Sequence, residues 1–303
     1  MHALKQRVSE DLRNQVIDLR RRHSLREVAT MTGLPLGTVK TLVSRSGAFR
    51  DNDQHRALFT LPTIRVSAST APAVQVLPSQ QRVTGDKEVD ALLWLRSVIA
   101  TGQPGPIATA LEAAKKIKTP LKELEGRYTA FLRLTNPDNP FATFSSIGFA
   151  DLEALASKSV RDQALRVEGA ARFGDSLFAD TAAEVFCIKA MDGLQRRGSM
   201  LDFDKDEVAA RFHARPDLMP RTLTDCLCEL KYWSHLYWLR NVVDIYGSDG
   251  PPESTARDWF VFGLLAEIRP RDKTEALAVF RYLVASERDG MAESESILCN
   301  LIG

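Results

Sequence analysis

The sequence predicts an all-α protein: a small N-terminal three-helix unit, an extended linker and a larger C-terminal helical bundle. Three observations carry that expectation. Apolar residues recur at helical spacing along most of the 303 residues, and the strict alternation of a half-buried strand is rare. Helix punctuation is dense between Ser24 and Pro35. The stretch Thr222–Tyr246 is apolar around most of its circumference, as in a helix at the centre of a bundle. The length suits two or three domains, and the expected division is 1–50, a linker over 51–86, and 87–303.

The first helix is expected from Ser9 to about Arg22, with Leu12, Val16 and Leu19 on one face. Arg20, Arg21 and Arg22 crowd its end, where cations suit the helix dipole and also stand within reach of phosphate. Ser24 and Glu27 form a capping box that starts a second helix at Leu25. Gly33 ends it, since glycine enters the left-handed conformation without steric penalty. Pro35 has a φ suited to a helix start, and a third helix follows from about Leu36 to Arg45. Ala29 lies four positions before Gly33, and Val39 six after it. Two helices crossing at a wide angle need a small residue, a turn glycine and an apolar anchor at about these places, which makes the pair a helix-turn-helix.

The run Gly33-Leu34-Pro35-Leu36-Gly37-Thr38-Val39-Lys40, with the surrounding LREVATMTGLPLGTVKTLVSR, resembles the region-four helix-turn-helix of extracytoplasmic-function sigma factors. Serine-recombinase and LuxR-type readers share a looser form. The resemblance covers residues 9–45. Thr41-Leu42 stands where that family usually has Ser-Arg, and no polymerase-binding region two precedes the motif in this chain. The resemblance implies DNA binding, and sigma activity is not carried over. Double-stranded DNA is therefore the expected partner. The expected contacts are Leu36, Gly37, Thr38, Lys40, Thr41, Ser44 and Arg45 on the recognition helix, joined by Arg22, Ser24 and Arg26.

The charge pattern agrees with that expectation. Formal net charge is only +1, but residues 1–50 hold ten basic and four acidic side chains. The reader segment is thus +6 and the remainder −5, and a local positive field is what phosphate binding requires.

From residue 51 to 86 no helical period is visible, and Pro62, Pro72 and Pro78 recur among Ser, Thr, Ala and Gln. That is linker composition, expected to act as a flexible tether. Leu58–Val66 is more apolar and suits a short docked strand. Beyond Lys87 helices are expected at Asp90–Ala100, Ile107–Lys118, Leu121–Leu134, Asp151–Phe173 with a break near Ser157, Ser176–Arg197, Phe203–Arg215, Thr222–Tyr246, Trp259–Ile268 and Lys273–Leu283, while Ser294–Ile302 is expected to add a final turn or to dock on a partner. Asn136–Gly148 is the main irregular connection.

Other constellations point to less. Asp202, Asp204 and Asp206 imitate an EF-hand opening, but Glu207 and His213 stand where that loop needs glycine and a bidentate glutamate. An acidic helix start explains them better. Cys226, Cys228 and His235 share one helix without the further ligands a zinc site requires. Tyr232, Trp233, Tyr237 and Trp238 read as core and interface packing. No phosphate loop, dinucleotide fingerprint or nucleophile elbow occurs, so an enzyme is not expected and no catalytic residue, metal or cofactor is assigned. There is no apolar run of ~18 residues and no signal-peptide pattern at the N-terminus. The four cysteines read as buried thiols of a cytoplasmic protein rather than as a disulfide frame.

The expectation is thus a sequence-specific transcriptional regulator whose helical domain makes a homodimer or binds RNA polymerase or another protein. The alternative is a mobile-element accessory or adaptor protein, in which the helical domain is the working part.

Overall fold

The computed structural model describes residues 8–47, 49–65, 77–197 and 202–302. The fold is all-α, with fourteen α-helices among the described residues. The only extended pairing among them is an isolated bridge between Arg197 and Asp202. The chain divides into two compact units. One comprises Met1–Pro62, Phe178–Trp238 and Tyr246–Gly303, and the other Thr63–Leu177 and Leu239–Ile245.

The first unit opens with α1 (Glu10–Arg22), α2 (Leu25–Thr32) and α3 (Leu36–Ser46). The local signals act as their chemistry requires. The Ser24 hydroxyl accepts from the Glu27 amide at 3.3 Å, and the Glu27 carboxylate accepts from the Ser24 amide at 2.6 Å. Gly33 ends α2 with φ 67°, and Gly47 ends α3 with φ 70°. Val16, Val28 and Val39, one from each helix, are fully buried together. Leu19, Leu25, Ala29, Leu34, Leu42 and Val43 pack around them.

The next element departs from the expected linker. Residues Asp53–Leu58 form a helix, α4, capped by the Asn52 side chain, and Phe59 is buried at its end. No strand forms over the described residues from Leu58 onward. The reason is legible afterwards. A two-turn helix is too short to show a period, and its inward positions include Asn52 and His55, which a hydropathy pattern reads as loop.

The same unit continues with α9 (Ala182–Ala190), α10 (Lys205–His213), α11 (Leu223–Asn241) as far as Trp238, α12 (Pro252–Glu267), α13 (Lys273–Ala285) and α14 (Ser294–Ile302). Leu223, Cys226, Leu227 and Leu230 of α11 pack with Val261, Phe262 and Leu265 of α12, Val279 and Leu283 of α13, and Ile297 of α14. The second unit is built from α5 (Lys87–Ile99), α6 (Pro104–Ala114), α7 (Leu121–Thr135) and α8 (Leu152–Phe173), around Leu92, Leu95, Ile99, Ile107, Leu124 and Phe149. Gly102 has φ 72°, and a Cβ there would stand 2.5 Å from the Ser159 carbonyl oxygen. Only glycine lets the turn after α5 approach α8 so closely.

Several expected boundaries move. α8 runs unbroken through Ser157. α9 begins only at a second capping box, Thr181 with Glu184. α12 starts at Pro252, seven positions before Trp259, because proline is well placed in a first turn. α11 ends at Asn241, leaving Val243 and Ile245 exposed beyond it. Nor is α11 wholly apolar inside: Asp225 and Glu229 are fully buried among its leucines.

Candidate nucleic-acid interface

α3 turns one face to the inner core and the other outward. Val39 is buried, with Leu42 and Val43 packed beside it. Gly37, Lys40, Thr41, Ser44 and Arg45 are exposed, spaced three and four apart so that they share a face. Leu36 and Thr38 are half-buried at its margin. The helix carries no acidic side chain. Its outer face is therefore flat at Gly37 and cationic at Lys40 and Arg45. The Thr41 hydroxyl donates to the Gly37 carbonyl oxygen at 2.8 Å, which fixes its rotamer while leaving lone pairs to accept.

The α2 end supplies two further groups. Ser24 is exposed, and its oxygen is engaged by the Glu27 amide, so the hydroxyl proton remains available to an anion. Arg26 is exposed on the first turn of α2. Glu27 is the acidic residue of that first turn. Hydrogen bonds from the Ser24 backbone and then its side chain hold the Glu27 carboxyl below its usual range, so it stays ionised within the capping box. In the basic run ending α1, Arg20 donates to the His23 carbonyl oxygen at 3.0 Å and lies over the Phe49 ring. Arg20 thus closes the helix end, whereas the side chain of Arg22 lies outside the described set.

Elsewhere, Asp204 is the N-cap of α10, accepting from the Asp206 and Glu207 amides at 3.0 Å. Cys187 and Cys226 are buried, but the expectation of four buried thiols fails at Cys299, which is exposed, and at Cys228, which is half-buried with its thiol facing the Phe59 carbonyl oxygen at 3.9 Å. Among the described residues no group of three or more His, Cys, Asp or Glu side chains is placed to hold a metal ion. No helix among them is long and apolar enough to cross a membrane.

One polar constellation escapes sequence reasoning. Glu229 of α11 accepts from Arg257 Nε at 2.7 Å and Nη2 at 2.9 Å, and from Trp233 at 3.2 Å. Its other contact is His55 Nε2 at 2.6 Å. His55, Glu229 and Arg257 are all 0 % exposed. Burial alone would raise the Glu229 carboxyl, but Arg257 and the hydrogen bond from His55 outweigh it and hold the group below the usual carboxylate range. The Arg257 guanidinium also lies among the rings of Phe59, Phe186, Phe212 and Phe260. Around this centre Asn52 donates to the Asp217 and Met219 carbonyl oxygens, and Arg56 pairs with Asp225 at 2.7 Å. Together they lock α4, which follows α3 in the chain, into the body of the unit. Charged residues inside otherwise apolar helices, Glu229 and Arg257, were the only sequence signal for it.

No protein-family model, curated protein or solved structure matches the chain.

Proposed function

We propose that the chain is a sequence-specific DNA-binding transcriptional regulator that lays α3 in the major groove. The observation that carries the reading is the open outer face of α3, where Gly37, Lys40, Thr41, Ser44 and Arg45 stand together without an acidic neighbour on the helix. Recognition helices use such a face for base edges, and the flanking cations for phosphates. Ser24 and Arg26 at the start of α2 suit phosphate contact on the backbone beside the groove.

A single three-helix unit covers little DNA and binds weakly alone. The regulator is therefore expected to act as a dimer on two half-sites. Selection of duplexes from a random library, followed by titration with the full chain, tests the reading. Enrichment of one motif and its loss in Lys40→Ala and Arg45→Ala support it. No enrichment, or variants indistinguishable from the parent, overturns it.

The adaptor reading draws on a different surface. Leu134, Phe141, Phe144 and Ile147 are all more than half exposed in the second unit, a cluster suited to a protein partner.

A further inference from the structure

α13 buries one face and leaves a second apolar face uncovered. Val279, Tyr282 and Leu283 point inward. Leu277, Phe280 and Val284 point outward and are 45, 48 and 51 % exposed. Their spacing of three and four is the seam along which two helices pair. The helix needs only its inner face to pack its own unit.

We infer that this stripe pairs with the same stripe of a second copy, the two α13 helices running antiparallel about a two-fold axis at Phe280. The charges at the stripe's ends favour this occupant. Lys273 is exposed at the start of α13, and Glu287 just past its end. An axis at Phe280 stands Lys273 opposite Glu287, seven positions to either side, and brings Leu277 beside Val284, twice over. This is self-complementarity of the isologous kind that a two-fold dimer requires. A parallel pairing would set like charges together. Arg281 is exposed beside the axis, where its guanidinium can lie over the facing Phe280 ring.

One helix pair buries less than the ~1,200 Å² of a stable interface. The pairing is therefore weak in solution and is strengthened when both copies sit on one duplex, which raises their effective concentration. The inference deepens the DNA-reader proposal and rests on it for that strengthening. Its test needs no DNA, so the two fail separately.

The test uses the full chain carrying Cys299→Ser, which removes the exposed native thiol. A residue on a two-fold axis meets its own copy, within the ~7 Å between Cα atoms that a disulfide can span. Mild copper-phenanthroline oxidation is expected to cross-link Phe280→Cys and to leave Leu134→Cys, which is more exposed, uncross-linked. Sedimentation velocity is expected to rise with concentration for the parent and to lose that rise in Phe280→Asp. Lys273→Glu or Glu287→Lys alone should weaken association, and the two reversals together should restore it. Circular dichroism checks that each variant is folded. Cross-linking at Phe280 no better than at Leu134 overturns the inference. So does sedimentation that Phe280→Asp leaves unchanged, or a different protein found seated on the stripe of a monomer.

Discussion

His55 and Glu229 are 174 positions apart, yet His55 Nε2 lies 2.6 Å from the Glu229 carboxylate with both side chains wholly buried. The contact fastens the short helix behind the three-helix unit to the centre of the body. With Nε2 given to the carboxylate, His55 Nδ1 has no hydrogen-bond partner among the described residues. An unmade bond of that kind costs about 1–3 kcal/mol, so the fold keeps this histidine for the hydrogen-bonding contact it makes with Glu229.

Arg257→Met leaves the Glu229 carboxylate buried with its main counter-charge removed. Breaking one side of a buried pair typically costs about 3–5 kcal/mol. Urea unfolding followed by circular dichroism should show a loss of that size. The double variant Arg257→Met with Glu229→Leu should recover most of it. Equal loss in the single and double variants would assign Arg257 to ring packing instead.

Acid should weaken the first unit through Glu229. Its carboxyl is held low by Arg257 and His55 against the cost of burial, so its contribution is present above the unfolded carboxylate value, about 4.3, and lost as pH falls through the folded one. Asp258 works in the opposite sense, because burial raises its carboxyl despite Arg288. Its contribution is present at low pH and lost as pH rises. Stability measured between pH 3 and 6 should therefore change less steeply with pH in Glu229→Gln and more steeply in Asp258→Asn.

Gly33→Ala meets no neighbour, since nothing lies within 4 Å of the added Cβ. The cost is conformational, about 1–2 kcal/mol for a left-handed residue. Gly33→Asn should cost less. Ser24→Ala should cost about 0.5–2 kcal/mol through removal of the cap. Amide exchange localised to residues 10–46 checks all three.

On DNA, Lys40→Ala and Arg45→Ala should separate by role. Removing a side chain that touches phosphate lowers the slope of log affinity against log salt by about 1 and weakens all sequences alike. Removing one that reads a base edge costs about 1–3 kcal/mol and relaxes a single position of the site. Titrations of the selected and a scrambled duplex at several salt concentrations read the difference.

Thiol labelling should be ordered by burial. Burial pushes the Cys187 and Cys226 thiols well up, and the thiolate is the reactive form. Cys299 is exposed and should label first. Cys228 should follow, and the other two should react only on unfolding.

The three-helix unit was legible because its determinants are local. Ser24, Gly33 and Pro35 act within one turn of where they stand, and Val16, Val28 and Val39 fall on helical spacing. The all-α class followed from the same periodicity. α4 was not legible, because Asn52, His55 and Arg56 make sense only beside Asp217, Asp225 and Glu229, far along the chain. The candidate recognition face could be proposed from spacing, whereas the burial of Glu229 with Arg257 depends on contacts between helices far apart in the chain. The early start of α12 was hidden as well, because Arg257 and Asp258, both buried in it, interrupt the apolar pattern before Trp259.

The first unit is assembled from three separated stretches of chain, and that has a cost in time. At a synthesis rate of ~5–20 residues per second, His55 leaves the ribosome roughly ten to thirty-five seconds before the carboxylate it must meet. Throughout that interval the nascent N-terminal helices have nothing to moor them. A chaperone or an early nucleic-acid encounter would find them in that state.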